Sequence, residues 1–232
     1  MLVLLLLAMV PPAWSLPTGE QVLRHVREAR SGIRDYTVDV SIHVEMEGVR
    51  VPDATIRVFH KAPDKTKLEP LKGFAILPKG AILPGDPFAS LGQHFTAEVL
   101  GTSRVAGRPT YRLKLTPKGE GPTHPVYAHV DRERWNVLQM TSATPGGDAI
   151  TVEMTYQRVR GRFWLPSRTV ARFRLPDIDA PSNAPGDDSG FRMAGQRGTV
   201  TATFRNYKVN TGRADSLFRE DAQARQDRQR RH

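Results

Sequence analysis

Tyr36-Thr37-Val38-Asp39-Val40-Ser41-Ile42-His43-Val44-Glu45-Met46-Glu47 alternates an apolar with a polar residue at every step. A period of two is that of a β-strand with one face on a core and the other in water. Gly48 then turns the chain toward Ala54, Ile56 and Val58, which are spaced for the partner strand of an antiparallel hairpin.

The pattern recurs downstream between turn residues. Phe95, Ala97 and Val99 mark one strand; Tyr111, Leu113 and Leu115 follow Gly107; Val126, Ala128 and Val130 follow in turn. Further strands are expected over Val137 to Thr141, around Ile150, Val152, Met154 and Tyr156, and from Phe163 to Pro166 after the turn Arg160-Gly161. Two more run from Thr169 to Leu175 and from Thr199 to Val209. Strands this short and evenly spaced form a barrel or a strongly curved sheet, and the lack of strand-helix alternation argues against a parallel α/β fold. One amphipathic helix of three to four turns precedes them. Thr18 is its N-cap, Gln21 completes a capping box, Val22, Leu23, Val26, Ala29 and Ile33 follow at helical spacing, and Gly32 is placed to end it.

Composition narrows the class. In 232 residues, 34 Lys and Arg oppose 24 Asp and Glu for a net charge of +10, and 39% of residues are hydrophobic. With a mean hydropathy of -0.43 the chain is neither wholly disordered nor a polytopic membrane protein. The absence of cysteine excludes disulfides, thiol catalysis, thiolate metal sites and a lipid-modified cysteine anchor. Leu2 to Val10 is an apolar run far short of the roughly 20 residues that span a bilayer, so it is expected to be the core of a signal peptide. Cleavage is expected after Ser15, following Ala13-Trp14-Ser15, which makes 1–15 the leader and the mature protein an exported one. Met1 meets Leu2 without a basic n-region, which points to a misassigned start or a trimmed sequence.

The body of the chain is expected over residues 16–212. Within it, Pro176 to Gly198 is rich in Pro, Gly, Asp and Ser and is expected to be a long connection between strands, with Phe191 and Met193 as docking residues. Residues 213–232 are expected to begin as a short helix near Asp215, with Leu217, Phe218 and Ala222 as an apolar patch, and to end as a basic disordered tail.

The search for catalytic chemistry yields little. Phe88-Ala89-Ser90-Leu91-Gly92 lacks the first glycine of a nucleophile elbow. Gly119-Glu120-Gly121 runs into Pro122 and no helix, so it is a turn and not a phosphate loop. His124, His129 and Asp131 are the one candidate metal set, without a third nitrogen ligand nearby. The acidic pairs Glu45, Glu47 and Asp187, Asp188 are expected to be solvated. The arginines, among them Arg24, Arg27, Arg158, Arg160 and Arg172, accompany no nucleic-acid motif, so nucleic acid is not an expected partner. Peripheral contact with an anionic membrane surface or an acidic partner is the expected use of the charge.

Six pieces of sequence carry a resemblance when taken in order: Asp35 to Val44, Lys61-Ala62-Pro63-Asp64-Lys65, Gly107 to Pro117, His129-Val130-Asp131-Arg132, Trp164-Leu165-Pro166-Ser167-Arg168 and Asn206-Tyr207-Lys208-Val209-Asn210. The chain resembles the periplasmic outer-membrane lipoprotein carrier and sorting superfamily (LolA/LolB-like). The resemblance implies an α+β, mainly β fold: a strongly curved antiparallel sheet forming an incomplete β-barrel, with the helix and loops covering its open side. It also implies a hydrophobic cavity for lipoprotein acyl chains or an envelope lipid, an inner-membrane donor, an outer-membrane acceptor and no cofactor.

The candidate cavity wall is Tyr36, Val38, Val40, Ile42, Val44, Ile56 and Val58, with Val22 and Val26 on the lid. An acyl chain suits such a wall, since each buried CH₂ contributes about 0.8 kcal/mol and asks for no polar partner. Two positions depart from the carrier pattern: Ala62 stands where the carrier has a lid-latching arginine, and His129 where it has tryptophan. Three readings follow: an acyl-chain carrier, a module of the same fold that binds a partner protein in sigma-factor regulation, and a metal-dependent hydrolase.

Overall fold

A computed structural model describes residues 15–73, 91–119, 124–143, 149–174, 178–180, 191–193 and 197–218. Residues 1–14 of the expected leader, Phe88-Ala89-Ser90, Glu120-Gly121, Asp187-Asp188 and residues 219–232 of the expected tail lie outside them.

The capping box forms as the sequence predicts. The Thr18 N–H donates to Gln21 Oε1 at 2.8 Å, the Gln21 N–H donates to Thr18 Oγ1 at 3.2 Å, and helix α1 (Gly19–Glu28) follows with Val22, Leu23 and Val26 buried. The helix is shorter than its apolar spacing indicates. Past Glu28 the N–H groups of Arg30, Ser31 and Ile33 bond three residues back, to Arg27, Glu28 and Arg30, which tightens the chain and ends the α-helix four residues before Gly32. Gly32 instead packs beneath the Phe163 ring and gives its carbonyl to Asn210 Nδ2 at 2.8 Å.

The strands are β1 (Asp35–Met46), β2 (Val49–Arg50), β3 (Ala54–Lys61), β4 (Lys65–Lys72), β5 (Phe95–Val105), β6 (Arg108–Pro117), β7 (Val126–Asp131), β8 (Val137–Ala143), β9 (Ala149–Val159), β10 (Phe163–Arg174), β11 (Ile178–Ala180), β12 (Phe191–Met193) and β13 (Arg197–Val209). Ten of them form one antiparallel sheet in the order β4-β3-β1-β13-β10-β9-β8-β7-β6-β5, and β2 pairs with β1. β4 and β5 stand at the two ends of that order without pairing to each other, so the barrel is incomplete.

Two expectations need correction. Lys65–Lys72 is a strand that alternation does not reveal, because it is an exposed edge and carries the lysines and proline that suit an edge. The Pro176 to Gly198 connection is not wholly irregular: β11 and β12 pair as a two-stranded ribbon, and Arg197 and Gly198 already belong to β13.

The ends of β1 and β13 are tied together. The Thr211 and Gly212 N–H groups donate to the Asp35 carboxylate at 2.8 and 3.0 Å, the Thr211 hydroxyl at 3.1 Å, and the Asn210 N–H donates to the Asp35 carbonyl at 2.8 Å. Burial pushes the Asp35 carboxyl up, but these donors outweigh it and hold it below the usual carboxylate range. The 3-10 turn Asp215–Phe218 forms where a short helix is expected. Lys61 Nζ at 2.7 Å and Lys65 Nζ at 3.2 Å pair with Asp215 Oδ1, so the corner around Ala62 holds the C-terminal turn.

Candidate functional site

Strand register brings one set of side chains together. Val44 faces Val200 across β1 and β13, Val200 faces Ala171, Ala171 faces Val152, Val152 faces Met140, Met140 faces Ala128, Ala128 faces Leu113, and Leu113 faces Val99. This row crosses eight strands without one polar residue. The adjacent row, on the opposite face, reads Glu45, Thr199, Arg172, Thr151, Thr141, Tyr127, Lys114 and Glu98. A one-residue slip of any strand would bring a member of the charged and hydroxyl-bearing row onto the apolar side, so the two faces fix the register.

The apolar side is organised as two clusters. Val22, Leu23 and Val26 pack with Leu91, Leu113, Leu115, Ala128, Val130, Val137 and Met154. Tyr36, Val38, Val40, Ile42, Ile56 and Val58 pack with Phe163, Leu165, Val200, Ala202 and Val209, and Val44 lies half-buried against them. All nine candidate residues therefore lie in packed apolar clusters, eight of them buried and Val44 half-buried, but Val22 and Val26 fall in one cluster and the other seven in the other. Helix α1 lies along β5 because Gly19 lets it approach that strand, and His25 stacks on Trp135 with ring centroids 4.4 Å apart. Leu113, Leu115, Ala128, Val130 and Val152 belong to the same surface and were marked by the same alternation that singled out β1.

Polar groups are kept to the other side or to the rims. The Arg57 Nε donates to Asp39 Oδ1 at 2.7 Å, and this bond, opposed by burial and helped by Asn206, holds the Asp39 carboxyl below its ordinary range. Buried His60 lies against the Tyr36 ring at 4.9 Å between centroids.

His124, His129 and Asp131 do not converge. Among the described residues no three His, Asp or Glu side chains are grouped to hold a metal ion. Asp131 is wholly buried; its carboxylate accepts from Arg108 Nε and from the N–H groups of Glu133 at 2.8 Å and Arg134 at 3.0 Å. Burial raises its pKa, but Arg108 and the two N–H groups bring it below the usual value. His129 Nδ1 lies 2.9 Å from Ser103 Oγ, and burial, with Arg112 adding to it, pushes the imidazole pKa down.

No family model matches the chain, and no curated protein matches its sequence. Solved structures do match. A LolA superfamily protein of Nitrosomonas europaea superposes with a TM-score of 0.59 at 13% identity, covering 89% of this chain and 100% of that one. The chain has the LolA-like fold. A DUF1329 family protein of Desulfovibrio piger gives 0.61 at 10% identity over 89% and 99% of the two chains. A putative outer membrane lipoprotein-sorting protein domain of Vibrio parahaemolyticus gives 0.58 at 10% over 88% and 97%. At these identities the likeness is one of fold, and the LolA-like sheet is what the apolar row is built on.

Proposed function

We propose that the protein is a periplasmic carrier that sequesters the acyl chains of a lipoprotein or envelope lipid on the apolar side of its incomplete barrel, without a chemical step. The observation that carries this reading is the row from Val44 to Val99, eight strands wide and entirely apolar. Leu113, Ala128 and Val200 of that row are already buried in the two clusters, Val44, Ala171, Val152, Met140 and Val99 are half-buried, and an acyl chain would cover this remainder without needing polar partners. The fold shared with a lipoprotein-sorting domain supports the same reading. In this reading the leader ends at Ser15, the basic surface meets anionic membrane, and donor and acceptor proteins stand at the inner and outer membranes.

Native mass spectrometry of the mature protein, prepared without detergent and followed by lipid extraction, tests it. About one acylated molecule per chain is the expected result. A clean apo mass with no uptake of added diacyl lipid or lipopeptide overturns it and leaves a regulatory module that binds a partner protein.

A further inference from the structure

A cavity of 570 Å³ opens where the β5–β6 and β7–β8 turns meet the middle of β9 and β10. None of the eight residues of the apolar row lines it. Two of its apolar residues, Leu138 and Val170, are 8% exposed and belong to neither apolar cluster. Arg104, Arg108, Arg134 and Arg168 line it together with the carboxylates of Asp131 and Glu153.

Both carboxylates are already engaged, Asp131 by Arg108 and Glu153 by Arg172 at 2.9 Å. Arg104 gives its Nη1 to the Gly107 carbonyl at 2.8 Å, and Arg134 lies on the Trp164 ring with Cζ 3.7 Å from its centroid. Neither they nor Arg168 form an ion pair among the described residues. Three guanidinium groups with no ion pair among the described residues thus share one cavity with two carboxylates that are already paired and with an apolar floor. Guanidinium forks match carboxylate and phosphate oxygens, and the cavity volume is that of a small-molecule site.

We propose that this cavity binds an anionic amphiphile: a phosphate- or carboxylate-headed molecule whose head lies against Arg134 and Arg168 and whose apolar part rests on Leu138 and Val170. The site holds none of the row's residues, although Met154 and Tyr156 of its lining also pack in the cluster with Leu113 and Ala128, and it stands whether or not the row carries a lipid.

Methyl NMR and calorimetry on the lipid-stripped mature protein test it, with dodecyl phosphate, inorganic phosphate and dodecyl maltoside as probes below their micellar concentrations. Dodecyl phosphate is expected to bind one to one, to shift the Leu138 and Val170 methyls, and to bind at least about tenfold more tightly than either other probe, since only it offers both head and tail. Arg168→Gln, an exposed change, is expected to weaken it about fivefold or more, whereas the exposed Arg158→Gln outside the cavity leaves it unchanged. Equal affinity for inorganic phosphate overturns the apolar floor, and equal affinity for dodecyl maltoside overturns the arginine rim. Shifts confined to Val40, Val152 and their neighbours overturn this site while leaving the acyl-chain reading standing.

Discussion

Gly19, the first residue of helix α1, lies so close to Ala97 of β5 that a Cβ placed on it would fall 1.9 Å from the Ala97 carbonyl oxygen. The neighbour is sheet backbone and cannot swing away as a side-chain tip would. Gly19→Ala therefore moves the helix off the edge of the sheet, at about 1–3 kcal/mol for overpacking. The expected readout is a lower thermal midpoint with altered Trp135 emission, since His25 on the same helix stacks on that indole. An unchanged midpoint and spectrum would show that the helix does not depend on this approach.

Arg108 and Asp131 join the start of β6 to the end of β7, with the carboxylate wholly buried and the guanidinium partly exposed. The folded pKa of Asp131 is depressed, so its contribution is fully present above the unfolded value of about 3.9 and is lost as pH falls through the folded value. Urea midpoints measured between neutral pH and the carboxylate range should fall toward acid in the native protein. Arg108→Ala strands the buried charge and should cost about 3 kcal/mol at neutral pH, with a flatter acid limb. An acid limb of unchanged steepness would assign the pH dependence to other carboxylates.

How much of this was legible follows from what each residue answers to. β1 was plain because every second residue from Tyr36 to Met46 answers to the core, and the same held for β6, β7 and β9. β4 was not, because Lys65–Lys72 answers only to solvent and to β3. The apolar face of the sheet was legible residue by residue, whereas the association of Val22 and Val26 with the β5–β8 wing rests on Gly19 and Trp135, which no periodicity records. Arg108 and Asp131 are 23 residues apart, and the pairing of β6 with β7 is what brings them together. His129 and Asp131 looked like ligands in sequence because both are polar on one strand, but each is satisfied by a different neighbour.

His43 and His129 should titrate on opposite sides of the ordinary imidazole value. His43 Nδ1 lies 2.6 Å from Asp53 Oδ1 and Nε2 lies 3.3 Å from Glu45 Oε1; the bond to Asp53, then its charge, raises the His43 pKa. Its contribution is present below about 6.5 and lost as pH rises through the folded value. His129 is lowered by burial and by Arg112, so protonating it opposes folding. Imidazole NMR titration should place His43 above and His129 below about 6.5, and Asp53→Asn should bring His43 down without moving His129. Coincident midpoints for the two rings would contradict these environments.

Thr151 and Val152 are neighbours in β9 whose rows belong to opposite faces, Thr151 between Arg172 and Thr141, Val152 between Ala171 and Met140. The two side chains are nearly the same shape, so exchanging hydroxyl for methyl tests the face and not the packing. Val152→Thr places a hydroxyl where the facing residues offer no side-chain partner and should cost about 1–2 kcal/mol. Thr151→Val removes a hydroxyl that lies 3.5 Å from Thr141 Oγ1, with other partners available in solvent, and should stay within about 0.5 kcal/mol. Chemical denaturation measures both changes, and uptake of a diacyl lipid should weaken in Val152→Thr alone. Equal effects of the two substitutions on stability and uptake would mean that the row across eight strands is not the surface on which lipid is held.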